Sequence, residues 1–388
     1  MNKIKNNKKN KKEGLQMDKT VQKRFFSPTF GNKPRYLLGR DEVISRLCEG
    51  LQTPPGSRER ARLIIGQRGY GKTVALLELA EQARKAGYVV ASPTIVSPAL
   101  LDSVMEKLQK DSERFLKTGK KSVSGGSIGA FGFSAGLQFD RQDTESKTFA
   151  FRIDRFCEEM NRRRKSVLIL IDEVQGGSEE LKQLIIAYQE LVGEGRDVAI
   201  VMAGLPAALS VVLNDKVLTF LNRAEKIMLE PLRIAEVEAF FRRAFREESI
   251  AVPDHLLQKA AEKTEGSPYM MQLIGYYLTL NATSDAKITD KVFKKAIAGA
   301  EKDFQNDICL TVLRSLSDRD VRFLREMSSM DEPALVADIA KGMGVSREYA
   351  QQYRRRLLDA GLIETVKRGE VRFAVPYLAD YLRNTDAV

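Results

Sequence analysis

The sequence predicts an α/β protein in which a parallel sheet lies between two layers of helices, a three-layer αβα core, followed by a helical lid and a C-terminal winged helix-turn-helix domain. Three observations predict it. Short apolar runs alternate with helix-periodic segments from residue 24 to 230, the pattern of βαβ units and a parallel sheet. From Arg233 onward the periodicity is wholly helical. The last stretch reads as three helices and two short β segments around a turn, the layout of a winged helix. The expected divisions are a disordered basic tail over 1–24, the core over 25–230, the lid over 231–310 and the winged helix over 311–388.

Composition narrows the function. At 388 residues the chain is long enough for two or three domains, each burying its own core. No apolar run approaches the roughly 20 residues of a membrane span. The lysine-rich start is not followed by an apolar stretch, so no secretory signal is expected and the chain is placed in the cytoplasm. Cys48, Cys157 and Cys309 match no metal-ligand or redox spacing. His255 is the single histidine, which argues against a zinc site or a Ser-His-Asp triad. A net charge of +11 suggests a polyanionic partner, but the first 24 residues hold nine Lys/Arg against two acids and carry +7 of it. That Lys/Asn tract has too little apolar surface to offset its ordering entropy. Lys12-Glu13-Gly14 can be encoded as AAGGAGG, a ribosome-binding sequence two codons before Met17, so translation is expected to begin at Met17 in a bacterial host.

The strongest signal follows the short buried strand at 61–65. Gly66-Gln67-Arg68-Gly69-Tyr70-Gly71-Lys72-Thr73 fits the P-loop pattern G-x-x-x-x-G-K-[ST], and 74–86 is an amphipathic helix ended by Gly87. Glycines let the loop wrap close to phosphate oxygens with its N–H groups pointing inward, and the helix N-terminus adds partial positive charge. Lys72 is placed to reach the β- and γ-phosphates of ATP, and the Thr73 hydroxyl to ligate Mg2+. About a hundred residues later, 166–171 is a continuous apolar run ending in Asp172-Glu173. In open α/β sheets ligands collect at the carboxyl ends of strands. Asp172 is expected to hold the magnesium and Glu173 to orient the attacking water. Further strands are expected at 88–91, 198–203 and 226–229, and Asp41 is expected to cap the helix that follows Gly39.

With these elements in this order, the chain resembles the AAA+ ATPases, and with its winged helix it is similar to the origin-recognition-like initiator ATPases from Pro34 onward. The resemblance implies that the segment Tyr36-Leu37-Leu38-Gly39-Arg40-Asp41, with Tyr36 and Leu38, lines the adenine pocket. It implies that Arg223 falls where an arginine finger reaches a neighbour's γ-phosphate in a homo-oligomer built through the core; the other reading is a solvated arginine beside Glu225. Two departures stand out. Met202-Ala203-Gly204-Leu205-Pro206 offers no polar sensor, and Gly266-Ser267-Pro268-Tyr269 replaces the lid's sensor arginine, a lid segment similar to that of STAND-type signalling ATPases. Slow or partner-stimulated ATP hydrolysis is the expectation.

Residues 125–139 alternate small and apolar side chains, as in a Gly-rich hairpin, with Phe131, Phe133 and Phe139 either packed on its own sheet or gripping a partner. In the winged helix, Ser317 and Ser346 are helix caps, 334–341 is the second helix, and Lys367-Arg368-Gly369-Glu370 is the wing turn. Arg347, Gln351, Arg354 and Arg355 on the third helix, with Lys367 and Arg368 on the wing, are the candidate DNA contacts. The unit from Thr311 is nearly neutral, with 13 basic and 12 acidic residues, so a protein-binding role stays open. The resemblance implies an ATP-regulated DNA-binding protein serving replication or mobile-element maintenance. The alternatives are a STAND-like signalling ATPase whose winged helix binds the core or a partner protein, and a scaffold without turnover.

Overall fold

The computed structural model describes residues 25–28, 33–116 and 148–385. The expected basic tail and Gly-rich hairpin lie outside the described residues. Five parallel strands, β1 (Ala61–Ile65), β2 (Val89–Ile95), β3 (Val167–Val174), β4 (Val198–Gly204) and β5 (Glu225–Met228), form one sheet in the order β2-β3-β4-β1-β5. Along β3, Val167, Ile169 and Ile171 enter one core while Leu168 and Leu170 enter the other, so a continuous apolar strand is buried on both faces. Helices α1 (Asp41–Leu51) and α2 (Lys72–Lys85) cover one face. Helices α3 (Leu100–Leu116), α4 (Phe149–Arg162) and α5 (Glu179–Gly193) cover the other, and α6 (Pro206–Leu213) follows β4. Asp41 is not the cap of α1. Arg40 holds that position, Asp41 is the first helical residue, and no side chain caps the helix.

The lid consists of α7 (Ile234–Glu247), α8 (Asp254–Glu262), α9 (Pro268–Asn281) and α10 (Asp290–Phe304). Phe25 and Phe26, expected at the start of the core, are buried in the lid instead. The Phe26 ring packs against Phe240, Phe241 and Phe245 at centroid distances of 5.9, 5.7 and 5.4 Å. It also fills the space beside Gly275, where no Cβ would fit. The Phe25 and Ser27 amides donate to Glu248 and Gln272, which fixes the segment on the lid.

No loop separates lid from winged helix. Helix α10 runs directly into a π-helical turn, Gln305–Leu310, and a last α-turn, Thr311–Leu313. The two units share one buried cluster, in which Phe304 and Tyr377 lie 5.8 Å apart and the Tyr377 hydroxyl donates to the Lys263 carbonyl. In the winged helix, α11 (Asp318–Ser328) starts with a reciprocal capping box between Ser317 and Asp320. The helix expected over 334–341 begins later, because Ala334–Leu335 forms β6 and pairs with the wing; α12 is Val336–Met343. Ser346 caps α13 (Arg347–Asp359) by accepting from the Tyr349 amide at 3.2 Å. The wing is β7 (Ile363–Lys367) and β8 (Glu370–Phe373), and α14 (Leu378–Asn384) closes the domain. The α13 helix rests against α6 of the core.

Because Phe26 is a large, fully buried lid side chain far from its sequence neighbours, Phe26→Ala is expected to destabilise the protein by about 3 kcal/mol. Chemical denaturation reads this as an earlier transition, and an unchanged midpoint would show that the segment contributes nothing to the lid core.

Candidate nucleotide-binding site

The P-loop leaves the sheet at Ile65 and enters α2 at Lys72. Gly69 and Gly71, at φ of 77° and 83°, take the left-handed turns that the loop needs and that a side chain would strain. The first turn of α2 therefore aims its unpaired N–H groups at the loop's interior. The Lys72 ammonium donates to the Gly66 and Gln67 carbonyls at 2.9 and 2.8 Å, which curls the loop around it. Burial pushes its pKa down to about 8, with the Asp172 carboxylate pulling in the opposite direction.

Asp172 is 4% exposed near the end of β3, where the Thr73 hydroxyl donates to its Oδ2 at 2.6 Å and the Glu173 amide to its Oδ1 at 2.9 Å. A hydroxyl and a carboxylate converging from two elements are hard oxygen donors suited to magnesium. Glu173 adopts φ of 49°, a left-handed conformation that costs a non-glycine residue energy and that clusters at functional sites. The register between β3 and β4 shifts at this point, and Glu173 lines the pocket.

That pocket has a volume of about 490 Å³. Arg68 to Thr73, Asp172 and Glu173 make its polar end, while Tyr36, Leu37, Leu38, Met271 and Ile308 make an apolar end suited to a base. Tyr36 and Leu38 line this apolar end, and the Tyr36 ring is stacked 5.1 Å from Phe25. Gly66 and Gln67 lie at the base of the loop. Gly204 and Leu205, at the end of β4, bring no polar side chain to the pocket. The lid brings Pro268, Tyr269 and Gln272 but no cation among the described residues. The Tyr269 hydroxyl donates instead to Asp307 at 2.5 Å.

Arg223 is exposed at the end of the turn Thr219–Arg223 and does not line the pocket. The neighbour suggested for it, Glu225, is held by Arg46 and Arg62 at 2.5 and 2.6 Å. Among the DNA candidates, Arg347 and Arg355 on α13 and Lys367 and Arg368 on the wing are exposed. Arg354 is turned inward, donating to Thr365 Oγ1 at 2.7 Å and to Gln351 at 3.5 Å, so this pair braces the wing. Arg356 is paired with Asp320 at 2.6 Å.

Two contributions were not legible in the sequence. Arg40, 6% exposed, donates from Nη2 to the Tyr70 carbonyl at 3.2 Å and to the Glu230 carbonyl at 2.9 Å, tying the loop to the entry of the lid. Its only local signal was its place in the segment 36–41. Asp307 and Ile308, from the π-helical turn leading to the winged helix, and Thr311 just after it also line the pocket, and no local pattern announces them. Burial pushes the Cys157 and Cys309 thiols up to about 12 and raises that of half-buried Cys48. No helix among the described residues is long and apolar enough to cross a membrane.

Residues 36–201, which carry the P-loop, Asp172 and Glu173, match the family model described as AAA ATPase domain. This segment is an AAA ATPase domain. Residues 307–382 match a domain of unknown function (DUF8462). Among solved structures, the Walker-type ATPase PABY2304 of Pyrococcus abyssi is 19% identical, with a TM-score of 0.63, covering 89% of this chain and 96% of its own. The ORC2 protein of Aeropyrum pernix in its ADPNP-ADP complexes is 14% identical, with a TM-score of 0.58, covering 96% of this chain and 98% of its own. Likeness at these identities establishes the fold along nearly the whole chain. No curated protein matches the sequence significantly.

Lys72→Ala in the AAA ATPase domain is expected to weaken ATP binding about 10- to 100-fold, the loss of a charge-assisted contact, measured by calorimetry. The depressed Lys72 pKa sets a pH dependence. Free protein loses this proton above pH about 8, whereas bound phosphate favours the charged form, so ATP binding should take up protons and weaken as pH rises from 8 toward 10. Calorimetry in buffers of different ionisation enthalpy reads the uptake, and pH-independent affinity across that window would contradict it.

Proposed function

We propose that the protein binds and slowly hydrolyses ATP, and that its nucleotide state controls DNA binding by the winged helix. The observation carrying this reading is the convergence of Lys72, Thr73, Asp172 and Glu173 at one end of a pocket whose walls come from the core, the lid and the turn leading into the winged helix. In this reading Lys72 and the loop amides hold the phosphates, and Tyr36 and Leu38 hold the base. Thr73 and Asp172 hold magnesium, which when bound neutralises phosphate charge. Glu173 positions the attacking water and takes up its proton. The lack of polar sensor groups at Gly204, Leu205 and Pro268 supports slow turnover. ADPNP and ADP are present in the structure of the Aeropyrum pernix ORC2 protein, which shares this fold. Arg223, exposed on the core, is available to a second copy.

Arg347, Arg355, Lys367 and Arg368 face outward on α13 and the wing, the elements by which a winged helix meets a duplex. A second reading, in which the winged helix serves as a protein-binding module on the core, is favoured by one contact. Gly361, just after α13, lies against the P-loop, and a Cβ there would come within 2.5 Å of Gln67 Oε1.

Glu173→Gln is expected to lower the hydrolysis rate by about 100-fold or more while leaving ATP binding intact, as measured by phosphate release. DNA binding by the full chain should differ with and without ATP, and Lys72→Ala should abolish the difference. Identical DNA binding in all four conditions would sink the coupling. Arg347→Ala and Arg355→Ala should each reduce the salt dependence of binding by about one phosphate contact.

A further inference from the structure

The nucleotide pocket takes one wall from the first turns of helix α9, where Pro268, Tyr269, Met271 and Gln272 share a face. Pro268 opens the helix, and the Ser267 hydroxyl caps it by accepting from the Met270 amide at 3.2 Å. Met271 is an apolar lining residue, 2% exposed. Gln272 is of another kind. It is 7% exposed, and an amide side chain buried to that degree ordinarily has partners for both its oxygen and its nitrogen.

Half of that requirement is met. Gln272 Oε1 accepts from the Ser27 amide at 2.9 Å. A backbone N–H needs an acceptor, so this bond settles which way the side-chain amide is turned and leaves Nε2 on the other side. Ser27 is itself held in place, because Phe26 before it packs among Phe240, Phe241 and Phe245 and against Gly275, one turn further along α9. Nε2 carries two N–H groups, and neither has a hydrogen-bond partner among the described residues. Buried polar atoms without partners, such as Arg40 Nε and Gln67 Oε1, are closed to solvent; Gln272 Nε2 is not closed. The little of Gln272 that is accessible lines the pocket, so the unmet donor opens on the nucleotide site.

The Ser27 bond also fixes which end of the site that is. Phe25, two residues before Ser27, is stacked on Tyr36, and Ser27, Tyr36 and Met271 line the pocket together with Gln272. This is the apolar end suited to a base, whereas Lys72, Thr73 and Asp172 serve the phosphate end. A base entering here displaces water from Nε2, and a buried donor left unmatched costs affinity unless the base brings an acceptor. Adenine has no carbonyl oxygen. Its acceptors are the ring nitrogens N1, N3 and N7.

We propose that Gln272 is the residue by which the lid reads the base, with Nε2 donating to a ring nitrogen of adenine. The inference rests on the reading of this pocket as an ATP site and adds a specificity contact that the P-loop does not make. The lid brings no cation to the pocket among the described residues, so it holds the nucleoside rather than the phosphates, and the contact is the same for ATP and ADP.

The test is calorimetric titration of the full chain with ATP and with its 1-deaza, 3-deaza and 7-deaza analogues, each of which replaces one ring nitrogen by C–H. In the wild type, one of the three is expected to bind about tenfold or more weakly than ATP. Gln272→Met, which removes the donor, should bind ATP weakly by the same factor and no longer distinguish that analogue from ATP; ADP should lose as much as ATP. Circular dichroism reports whether this variant is folded. Gln272→Glu keeps an oxygen for the Ser27 amide but replaces N–H by a second acceptor, so at pH about 8, where the carboxyl is ionised, it should lose ATP affinity as well. That outcome separates reading of the base from tethering of Ser27. Equal binding of ATP and all three analogues by the wild type, a deficit that persists unchanged in Gln272→Met, or unaltered ATP binding by Gln272→Glu overturns the proposal while leaving the ATP site standing. No binding of ATP at all overturns both.

Discussion

The Lys72 ammonium, seated on the carbonyls of Gly66 and Gln67, is the interaction from which the rest of the molecule takes its arrangement. It curls the loop between β1 and α2 into a thin wall. On one face of that wall are Thr73 and Asp172; on the other are the lid turn and the winged helix. Desolvation of an ammonium is costly, and carbonyl dipoles offset it only in part, as the lowered pKa records. Under the proposed function, an incoming triphosphate would supply the missing negative charge.

The wall is tied to the elements packed around it. Arg40 bonds to the loop at Tyr70 and to the lid entry at Glu230 with one guanidinium nitrogen. Gly69 lies against Ser267 and Tyr269 of the lid, and Gln67 lies against Gly361 of the winged helix. Lid and winged helix share a buried cluster and a continuous helix, so they are connected as one body rather than as beads on a linker. The π-helical turn at Gln305–Leu310 is the irregular point in that connection, and it lines the nucleotide pocket. Irregular turns of this kind recur at functional positions because their backbone geometry has an alternative.

Where the sequence spoke clearly, it did so through local periodicity and fixed spacing. The run ending at Asp172 had to be a strand covered on both faces, since no amphipathic element tolerates the five consecutive apolar residues Val167 to Ile171. The P-loop spacing placed Lys72 and Thr73 at a helix N-terminus without any tertiary information. Local signals misled at the edges. Asp41 is a strong capping residue, yet Arg40 takes the cap position because its side chain is drawn inward by two carbonyls. Ala334 and Leu335 suit a helix, yet pairing with Val371 and Glu370 makes them a strand. Arg354 looked like a free surface cation until Thr365, brought near by the wing, engaged it.

By itself the sequence determined the three-layer core, the loop chemistry, the acidic strand end and the winged helix, because each depends on residues adjacent in the chain or repeated at a fixed period. Tertiary structure alone decided that Phe25 and Phe26 belong to the lid, that Asp307 reaches the nucleotide pocket, and that carboxylates from the lid and winged helix gather behind the P-loop. Those juxtapositions join residues tens to hundreds of positions apart, and packing, not local propensity, sets which distant surfaces meet.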